Sequence, residues 1–130
     1  MRAVVNIDVP NLDQAIAFYT RAIGLTLNRT LDDDVAELTN ASSVIYLLQH
    51  PAGSAFSQAG GEGRDYRRHW TPVHLDFVVD DLAAATRRAE DAGAARESEC
   101  IEWRGSKCIT FSDPFGHGFC LIEFDGDSYR

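Results

Sequence analysis

Two stretches of the chain, near residues 4–12 and 74–82, share one pattern of apolar and polar positions. The apolar positions alternate with a period of two: Val5, Ile7 and Val9 in the first stretch, and Leu75, Phe77 and Val79 in the second. Alternation of this kind is typical of a β-strand that is covered on one face. The sequence therefore contains an internal repeat, and each copy begins with a strand.

Each of these strands is followed by the signals of an amphipathic helix. Asn11, with Gln14 three residues later, forms a capping-box pattern, and Asp81 can cap the second helix. Apolar residues then follow at helical spacing: Leu12, Ile16, Tyr19 and Ile23 in the first copy, and Leu82, Ala85 and Ala89 in the second. Gly24 and Gly93 are placed to end the helices. We expect one helix in each copy.

Three strand-like segments follow each helix. They cover residues 26–30, 35–38 and 43–50 in the first copy, and residues 95–100, 107–111 and 118–124 in the second. Before the last strand, Asp113, Pro114 and Gly116 occupy the first, second and fourth positions expected of a type I turn, which predicts a hairpin. The predicted class is therefore α+β, with the unit βαβββ made twice.

We expect a single domain in which the first copy spans about residues 3–50 and the second about 72–125, with a linker at about 51–71. Two four-stranded sheets placed side by side would form a cup-shaped half-barrel, because neither sheet has a helix on its inner face. The alternates expected to line the cup include Asn6, Asp8, His74, Asp76 and Cys120. A mixture of polar and apolar groups on such a surface is typical of a ligand cavity.

Composition and charge exclude several classes of partner. The 12 Lys and Arg against 20 Asp and Glu give a formal net charge of −8. Nucleic-acid phosphates and anionic membranes need clustered cations, so we expect neither partner. No apolar run approaches the ~20 residues of a membrane span, and no signal-peptide pattern is evident, so we expect a cytoplasmic protein. The three cysteines lack the spacing of a thiolate zinc site, which favours free thiols.

The chain resembles the vicinal oxygen chelate superfamily, which groups glyoxalase I, bleomycin-resistance proteins, fosfomycin-resistance enzymes and extradiol dioxygenases. The resemblance is carried by residues 8–12, 17–19, 23–25, 73–82 and 113–121. It implies the glyoxalase/bleomycin-resistance/dioxygenase fold, a small-molecule ligand and a homodimer. The Phe-Cys-Leu sequence at residues 119–121 looks like the glyoxalase-like subgroup of bacterial proteins.

The resemblance also implies a place for a divalent metal. Enzymes of the superfamily hold the ion with four inward side chains, and the corresponding positions here are Val4, Tyr46, His74 and Cys120. Only His74 is of the expected type, so we predict no metal cofactor. A rearranged site for Zn, Ni, Mn or Fe stays open, built from His74 with His50 and either Asp76 or Cys120.

Without a metal, His74, Asp76 and Cys120 are the candidate catalytic residues. A carboxylate two residues along a strand shares the face of His74 and could orient it as a general base. Cys120 could act as a nucleophile beside it, although a structural thiol is the favoured explanation of the residue. Glu123 is an odd number of residues from Cys120, so we expect it on the helix side of its strand.

Two groups of cations and aromatic residues, around residues 66–70 and 103–107, suggest an anionic or aromatic ligand. A subunit contact or a solvated loop would explain the first group as well. The predicted ligand-binding residues are Asn6, Tyr46, Leu48, His50, Arg68, Trp70, Trp103 and Arg104. We expect a metal-free small-molecule binder. The alternative is a lyase, isomerase or dioxygenase-type enzyme with a rearranged metal site or with His74 and Asp76 as acid and base.

Overall fold

A computed structural model describes residues 1–55 and 57–130, so position 56, inside the predicted linker, lies outside the described residues. The chain divides into two compact units, Met1–Arg67 (unit 1) and Arg68–Arg130 (unit 2). The boundary between them falls within the segment predicted as the linker.

Unit 1 contains one four-stranded sheet and one helical region. Its elements are β1 (Val5–Val9), α1 (Leu12–Phe18), a π-helical segment (Tyr19–Ile23), β2 (Thr26–Leu31), β3 (Val35–Thr39) and β4 (Ile45–Gln49). The strand order is β1-β4-β3-β2, with β1 parallel to β4 and the other pairs antiparallel. Helix α1 packs against β3 and β4. Its fully buried Ala15 and the fully buried Leu38 and Leu47 belong to the core.

The first helix differs from the prediction at its C-terminal end. The Asn11 side chain accepts a hydrogen bond from Gln14 N at 2.9 Å, as the capping pattern predicts. A continuous α-helix to Ile23 was wrong, because the last five residues form a π-helical turn. The Thr20 hydroxyl donates to Ile16 O at 2.7 Å, and a serine or threonine bonded back in this way bends a helix. Gly24 then ends the segment at φ 83°.

Unit 2 repeats this order with one more strand. Its elements are β5 (Leu75–Val78), α2 (Leu82–Asp91), β6 (Ala95–Arg96), β7 (Ile101–Trp103), β8 (Ser106–Ser112) and β9 (Gly118–Phe124). The path through the sheet is β5-β9-β8-β6, with β7 also paired to β8. Asp81 caps α2 by accepting from Ala84 N at 3.0 Å. The α+β class and the duplicated βαβββ unit are confirmed.

The edge strand predicted at residues 95–100 is interrupted, which corrects the prediction of one continuous strand. Strands β6 and β7 pair with opposite ends of β8. Between them, Thr110 N donates to the side-chain oxygen of Ser98 at 2.9 Å, so a hydroxyl replaces the backbone carbonyl of a regular ladder. Arg96 Nε donates to Ser98 O at 2.9 Å and holds that carbonyl away from the sheet ladder.

The hairpin between β8 and β9 agrees with its prediction. Gly116 N donates to Asp113 O, and Asp113 Oδ1 also accepts from Phe115 N at 2.8 Å and from His117 N at 2.9 Å. Gly116 has φ 91°, which explains the glycine at this position. The turn fixes the start of β9 and therefore the position of Cys120.

Equivalent hydrogen bonds attach each helix to its sheet. Gln49 Oε1 accepts from Leu12 N at 2.7 Å in unit 1, and Glu123 Oε2 accepts from Leu82 N at 2.7 Å in unit 2. Glu123 therefore lies on the helix side of its sheet, as predicted. Because side chains alternate along a strand, Cys120 lies on the opposite side, which we call the helix-free face. Within the described residues, no helix is long and apolar enough to cross a membrane.

Candidate functional site

The three predicted catalytic residues lie together on the helix-free face of unit 2. The parallel pairing of β5 with β9 places Asp76 opposite Cys120, and β8 places Thr110 opposite Cys120 on the other side. His74 directly precedes β5 and is two residues from Asp76, so it shares the same face. The sheet register therefore brings an imidazole, a carboxylate and a thiol to one place.

The distances within this group are short enough for cooperation. His74 Nε2 lies 3.2 Å from Asp76 Oδ1, and the two side chains are 35% and 37% exposed. One candidate ligand atom from each of His74, Asp76 and Cys120 lies within 4.8 Å of the others. A carboxylate at this distance from an imidazole can orient it for proton transfer to a ligand.

The thiols beside this pair favour their neutral form. Burial is the main cause that raises the pKa of Cys120, and a hydrogen bond with Thr110 opposes the rise. In Cys108 on β8, burial and the neighbouring Cys120 raise the pKa to about 12. A thiol with a raised pKa is a weak nucleophile at neutral pH. The nucleophilic role of Cys120 stays a prediction, and this environment counts against it.

Trp70 forms an aromatic wall beside His74. The centroids of the two rings are 4.6 Å apart, and Trp70 is 46% exposed. The indole ring also lies directly over Gly118, where an added Cβ would overlap it. Gly118 is two residues before Cys120 and shares its face of β9. The predicted ligand-binding Trp70 is thus part of the same site as the predicted catalytic residues.

Arg68 lies against Trp70 but already has an anionic partner. Its guanidinium carbon is 5.3 Å from the centre of the Trp70 ring. Its Nε and Nη2 donate to the two carboxylate oxygens of Glu97 at 2.6 and 2.5 Å. This bidentate contact lowers the pKa of Glu97. An anionic ligand at Arg68 would have to compete with Glu97.

Trp103 and Arg104 form a separate aromatic group in unit 2. The Arg104 guanidinium is 5.7 Å from the centre of the Trp103 ring, which also lies 5.1 Å from the ring of Tyr129. Trp103 pairs with Ser106, which lies opposite Phe124, four residues along β9 from Cys120. Four strand residues span ~13 Å, so the sheet separates this pair from His74.

Two of the predicted ligand-binding residues, Asn6 and Tyr46, belong to a row of cross-strand neighbours in the sheet of unit 1, and hydrogen bonds within the protein occupy that row. Adjacent strands place Asn6, Tyr46, Glu37 and Arg29 next to one another across the sheet. The Tyr46 hydroxyl donates to Glu37 Oε2 at 2.8 Å, and Arg29 Nε donates to Glu37 Oε1 at 3.1 Å. Asn28 Nδ2 donates to the same Oε1 at 2.7 Å. Tyr46 is therefore held by the protein itself.

Glu37 is the functional-looking residue that the sequence analysis missed. It is 7% exposed, and its hydrogen bonds from Arg29, Asn28 and Tyr46 lower its pKa from 4.5 to about 2. The only sequence signal is an acidic residue within the apolar strand 35–38, on the same face as Tyr46 once the register is known. Three donors to one carboxylate make this group a structural anion rather than an acid–base candidate.

Leu48 and His50 lie near the end of the same sheet. Leu48 is opposite Asp8 in the β1–β4 pair and is partly exposed. His50 Nε2 lies 4.0 Å from Asp8 Oδ1, while Arg64 Nε donates to Asp8 Oδ2 at 2.7 Å. The Tyr66 hydroxyl donates to His50 O at 2.8 Å. His50 thus belongs to a second polar group within unit 1.

Only some of the four positions implied by the resemblance carry side chains that could bind a divalent ion. Val4 has no donor atom in its side chain, and the Tyr46 hydroxyl is bonded to Glu37. In unit 2, His74, Asp76 and Cys120 offer a nitrogen, an oxygen and a sulfur, a set that suits zinc with three protein ligands. These residues therefore fit one borderline-soft ion. His74 and Cys120 occupy two of the four positions that the resemblance implies, and Asp76 adds a third donor beside them.

Comparison with known proteins supports the predicted fold and family. The sequence matches the family described as a glyoxalase-like domain over residues 4–122. No match was found among the curated proteins. The solved structure of the fosfomycin resistance protein FosX from Listeria monocytogenes shares 18% identity, covers 95% of this chain and 92% of its own, and has a TM-score of 0.70. Lactoylglutathione lyase from Agrobacterium tumefaciens shares 21% identity over 93% of this chain and 92% of its own, with a TM-score of 0.63.

One further solved structure is of a FosX variant complexed with Mn(II) and 1S,2S-dihydroxypropylphosphonic acid. It shares 17% identity, covers 98% of this chain and 90% of its own, and has a TM-score of 0.73. Likeness at this level of identity shows the fold. Taken with the family match along almost the whole length, it places the chain in the glyoxalase-like family of the vicinal oxygen chelate superfamily.

Proposed function

We propose that the protein binds a small aromatic molecule with a polar or anionic substituent on the helix-free face of unit 2, and that it does so without a divalent metal. The observation that carries the proposal is the exposed Trp70 ring beside the His74–Asp76 pair. An aromatic surface next to a few converging polar groups is the usual composition of a small-molecule site.

The aromatic part of the ligand would pack on Trp70. Its indole ring is held in place from behind by Gly118 and from the side by the Arg68 guanidinium, yet remains 46% exposed. Offset or tilted aromatic contacts contribute ~0.5–1.5 kcal/mol beyond the buried area. Because Arg68 is bonded to Glu97, we assign it to holding Trp70 rather than to gripping an anion.

The polar end of the ligand would face His74 and Asp76. Asp76 lies near one imidazole nitrogen of His74, which leaves the other nitrogen to meet the substituent. Cys120 and Thr110 supply a neutral thiol and hydroxyl on the same face. Tyr46, at the corresponding position in unit 1, is bonded to Glu37, which supports binding without the family's ion.

The test combines metal analysis with ligand-induced thermal stabilisation. We expect purified protein to carry well below one metal ion per chain and to be stabilised by phenol, catechol or benzoate after treatment with a chelator. Trp70→Ala should abolish that stabilisation. Trp103→Ala is the matched control, since it removes the other arginine-stacked tryptophan of unit 2. Equal loss in both variants, or loss only in Trp103→Ala, would contradict the proposed place.

The second candidate is a lyase, isomerase or dioxygenase-type enzyme. It is favoured by the clustering of His74, Asp76 and Cys120 and by the manganese complex of a protein with the same fold. These three residues would hold the ion, which would supply Lewis-acid activation of a ligand oxygen. Stoichiometric metal that is lost in both His74→Ala and Cys120→Ser would support this candidate and overturn the metal-free proposal.

The homodimer implied by the resemblance stays a prediction. Val78 and Val73, both in or beside β5, are 66% and 81% exposed, which would suit a subunit contact. Sedimentation equilibrium of the purified protein measures the mass directly. A mass of one chain at micromolar concentration would contradict the expected dimer.

A further inference from the structure

Unit 2 contains a groove on the helix side of its sheet, away from the His74 face. It lies between α2 and strands β8 and β9, beside the interruption of the edge strand, and has a volume of about 620 Å³. That volume is within the range of ordinary small-molecule sites. Lys107, Ile109 and Glu123 line it, whereas Cys108 and Cys120 lie on the opposite side of the same strands.

Three cations surround this groove without a carboxylate partner. Arg87 on α2, Arg96 on β6 and Lys107 on β8 form no ion pair within the part of the chain that the structure describes. Arg96 uses its Nε on Ser98 O, which leaves its other guanidinium nitrogens for a ligand. In a chain of net charge −8, unpaired cations around one groove favour an anion.

The acidic residues of the groove are mostly engaged elsewhere. Asp81 accepts from Ala84 N and Glu123 accepts from Leu82 N, so both carboxylates serve the N-terminus of α2. Glu90 is the remaining acidic side chain among the lining residues. The lining therefore holds three cations and three carboxylates, and two of those carboxylates are offset by the positive N-terminal end of α2.

A buried hydroxyl points independently to a ligand. Thr86 lines the groove, is 6% exposed, and its side-chain oxygen has no hydrogen-bond partner among the described residues. Buried polar groups in folded proteins nearly always have a partner, so an unmatched one beside a cavity indicates a missing hydrogen-bonding group. Leu82 and Ile109, each 4% exposed, provide the apolar part of the lining.

We propose that this groove is a second site of unit 2, and that it binds a small organic anion with an apolar body. The anionic group would lie among Arg87, Arg96 and Lys107, the apolar body would pack on Leu82 and Ile109, and an oxygen of the ligand would bond to Thr86. The site is separated from the His74 face by the sheet itself. It stands whether or not the proposed function is correct.

Cys100 supplies a local reporter for the test. It is the exposed cysteine of the three and lines the groove, whereas Cys108 is partly buried and Cys120 is buried. The probe is 1-anilino-8-naphthalenesulfonate, a fluorescent aromatic anion whose titration gives an affinity. Its occupancy of the groove is measured as the rate at which uncharged iodoacetamide alkylates Cys100, mapped by peptide mass spectrometry. We expect the saturating probe to slow that alkylation severalfold.

Substitutions in the groove test whether its side chains bind the probe. Arg87→Gln combined with Lys107→Gln should weaken probe binding at least ~10-fold, because two charge-assisted contacts are lost. Arg2→Gln combined with Arg21→Gln, which removes two charges outside the groove, should leave the affinity unchanged. Thr86→Val keeps the shape, so it should weaken binding without lowering the melting temperature.

Three results would overturn the proposal. One is no probe binding, or binding that leaves Cys100 alkylation unchanged. Another is equal affinity in the groove variant and its control. The last is loss of probe binding in Trp70→Ala with retention in the groove variant, which would assign the probe to the His74 face and support the proposed function alone.

Discussion

The helix-free faces of the two units carry equivalent rows of residues that differ in whether their carboxylate is enclosed or exposed. In unit 1 the helix-free face is the one that carries Tyr46, since Gln49, three residues later on the same strand, bonds to the helix. In unit 1 the row leads through Tyr46 to Glu37, and the carboxylate of Glu37 receives hydrogen bonds from three side chains. In unit 2 the equivalent row contains Asp76 and Cys120, and Asp76 is 37% exposed beside His74. One carboxylate is enclosed by the protein, and the other is left open to a ligand.

This difference shows how a duplicated unit can divide its tasks. A buried carboxylate with three donors is satisfied, so a ligand gains little by approaching it. A half-exposed carboxylate beside an imidazole keeps free lone pairs and a group able to exchange a proton. We infer that the row of unit 1 stabilises its sheet and that the row of unit 2 meets the ligand.

The largest expected effect is on stability in unit 1. Glu37→Ala should lower the melting temperature by several degrees, because it leaves the Tyr46 hydroxyl, the Asn28 amide and the Arg29 guanidinium without their acceptor. Asp76→Ala, which removes the carboxylate of the unit 2 row, should alter the melting temperature little while weakening ligand binding. Thermal unfolding followed by circular dichroism measures both. Equal destabilisation by the two variants would contradict the inference that the row of unit 1 is structural and the row of unit 2 is not.

The second effect is a dependence of stability on pH that belongs to Glu37. Its pKa is lowered from 4.5 to about 2, so its contribution is complete above about pH 4.5 and is lost as the pH falls towards 2. Unfolding free energies measured by denaturant titration between pH 5 and pH 2 should therefore fall more steeply in the native protein than in Glu37→Gln. Parallel curves for the two proteins would show that Glu37 is not held as the structure describes.

Much of the fold could be predicted from the sequence, whereas the contrast between the two rows could not, and the reasons are physical. Alternation and capping residues identify both βαβββ units, since strand and helix periodicity are local properties. The pairing of His74 with Asp76 also follows from their spacing along one strand. The role of Glu37 does not, because its partners come from two other strands and depend on the register, including the shift between Leu27 and Arg29.

Two local irregularities of the backbone could not be predicted for a similar reason. In each, a side-chain hydroxyl bonds to a backbone group: Thr20 to a carbonyl of the first helix, and Ser98 to an amide of the strand beside the interrupted edge strand. Ser and Thr compete for backbone groups only when the tertiary structure places them suitably, so their presence alone predicts little. The groove beside α2 was missed because it depends on that same interruption of the strand.

The third prediction concerns the wall of the site in unit 2. Gly118→Val places a side chain where the Trp70 ring now lies, so the ring must move away from His74. Affinity for an aromatic probe should fall ~2- to 12-fold, the equivalent of one aromatic contact. Gly126→Val is the control, because a Cβ there meets nothing within 4 Å. Titration of probe binding compares the two, and unchanged affinity in Gly118→Val would separate Trp70 from the ligand.

The smallest effect should appear where the two units are most alike. Gln49 and Glu123 hold equivalent helix N-termini through Leu12 and Leu82, but only Glu123 brings a negative charge to the positive end of its helix. Glu123→Gln should therefore lower the free energy of unfolding by ~0.3–1 kcal/mol, and Gln49→Glu should raise it by a similar amount. Both differences should shrink at high salt, because screening weakens a charge–dipole interaction but not the shared hydrogen bond. Free energies of unfolding that stay unchanged in both substitutions, at low and at high salt, would mean that the hydrogen bond alone attaches each helix.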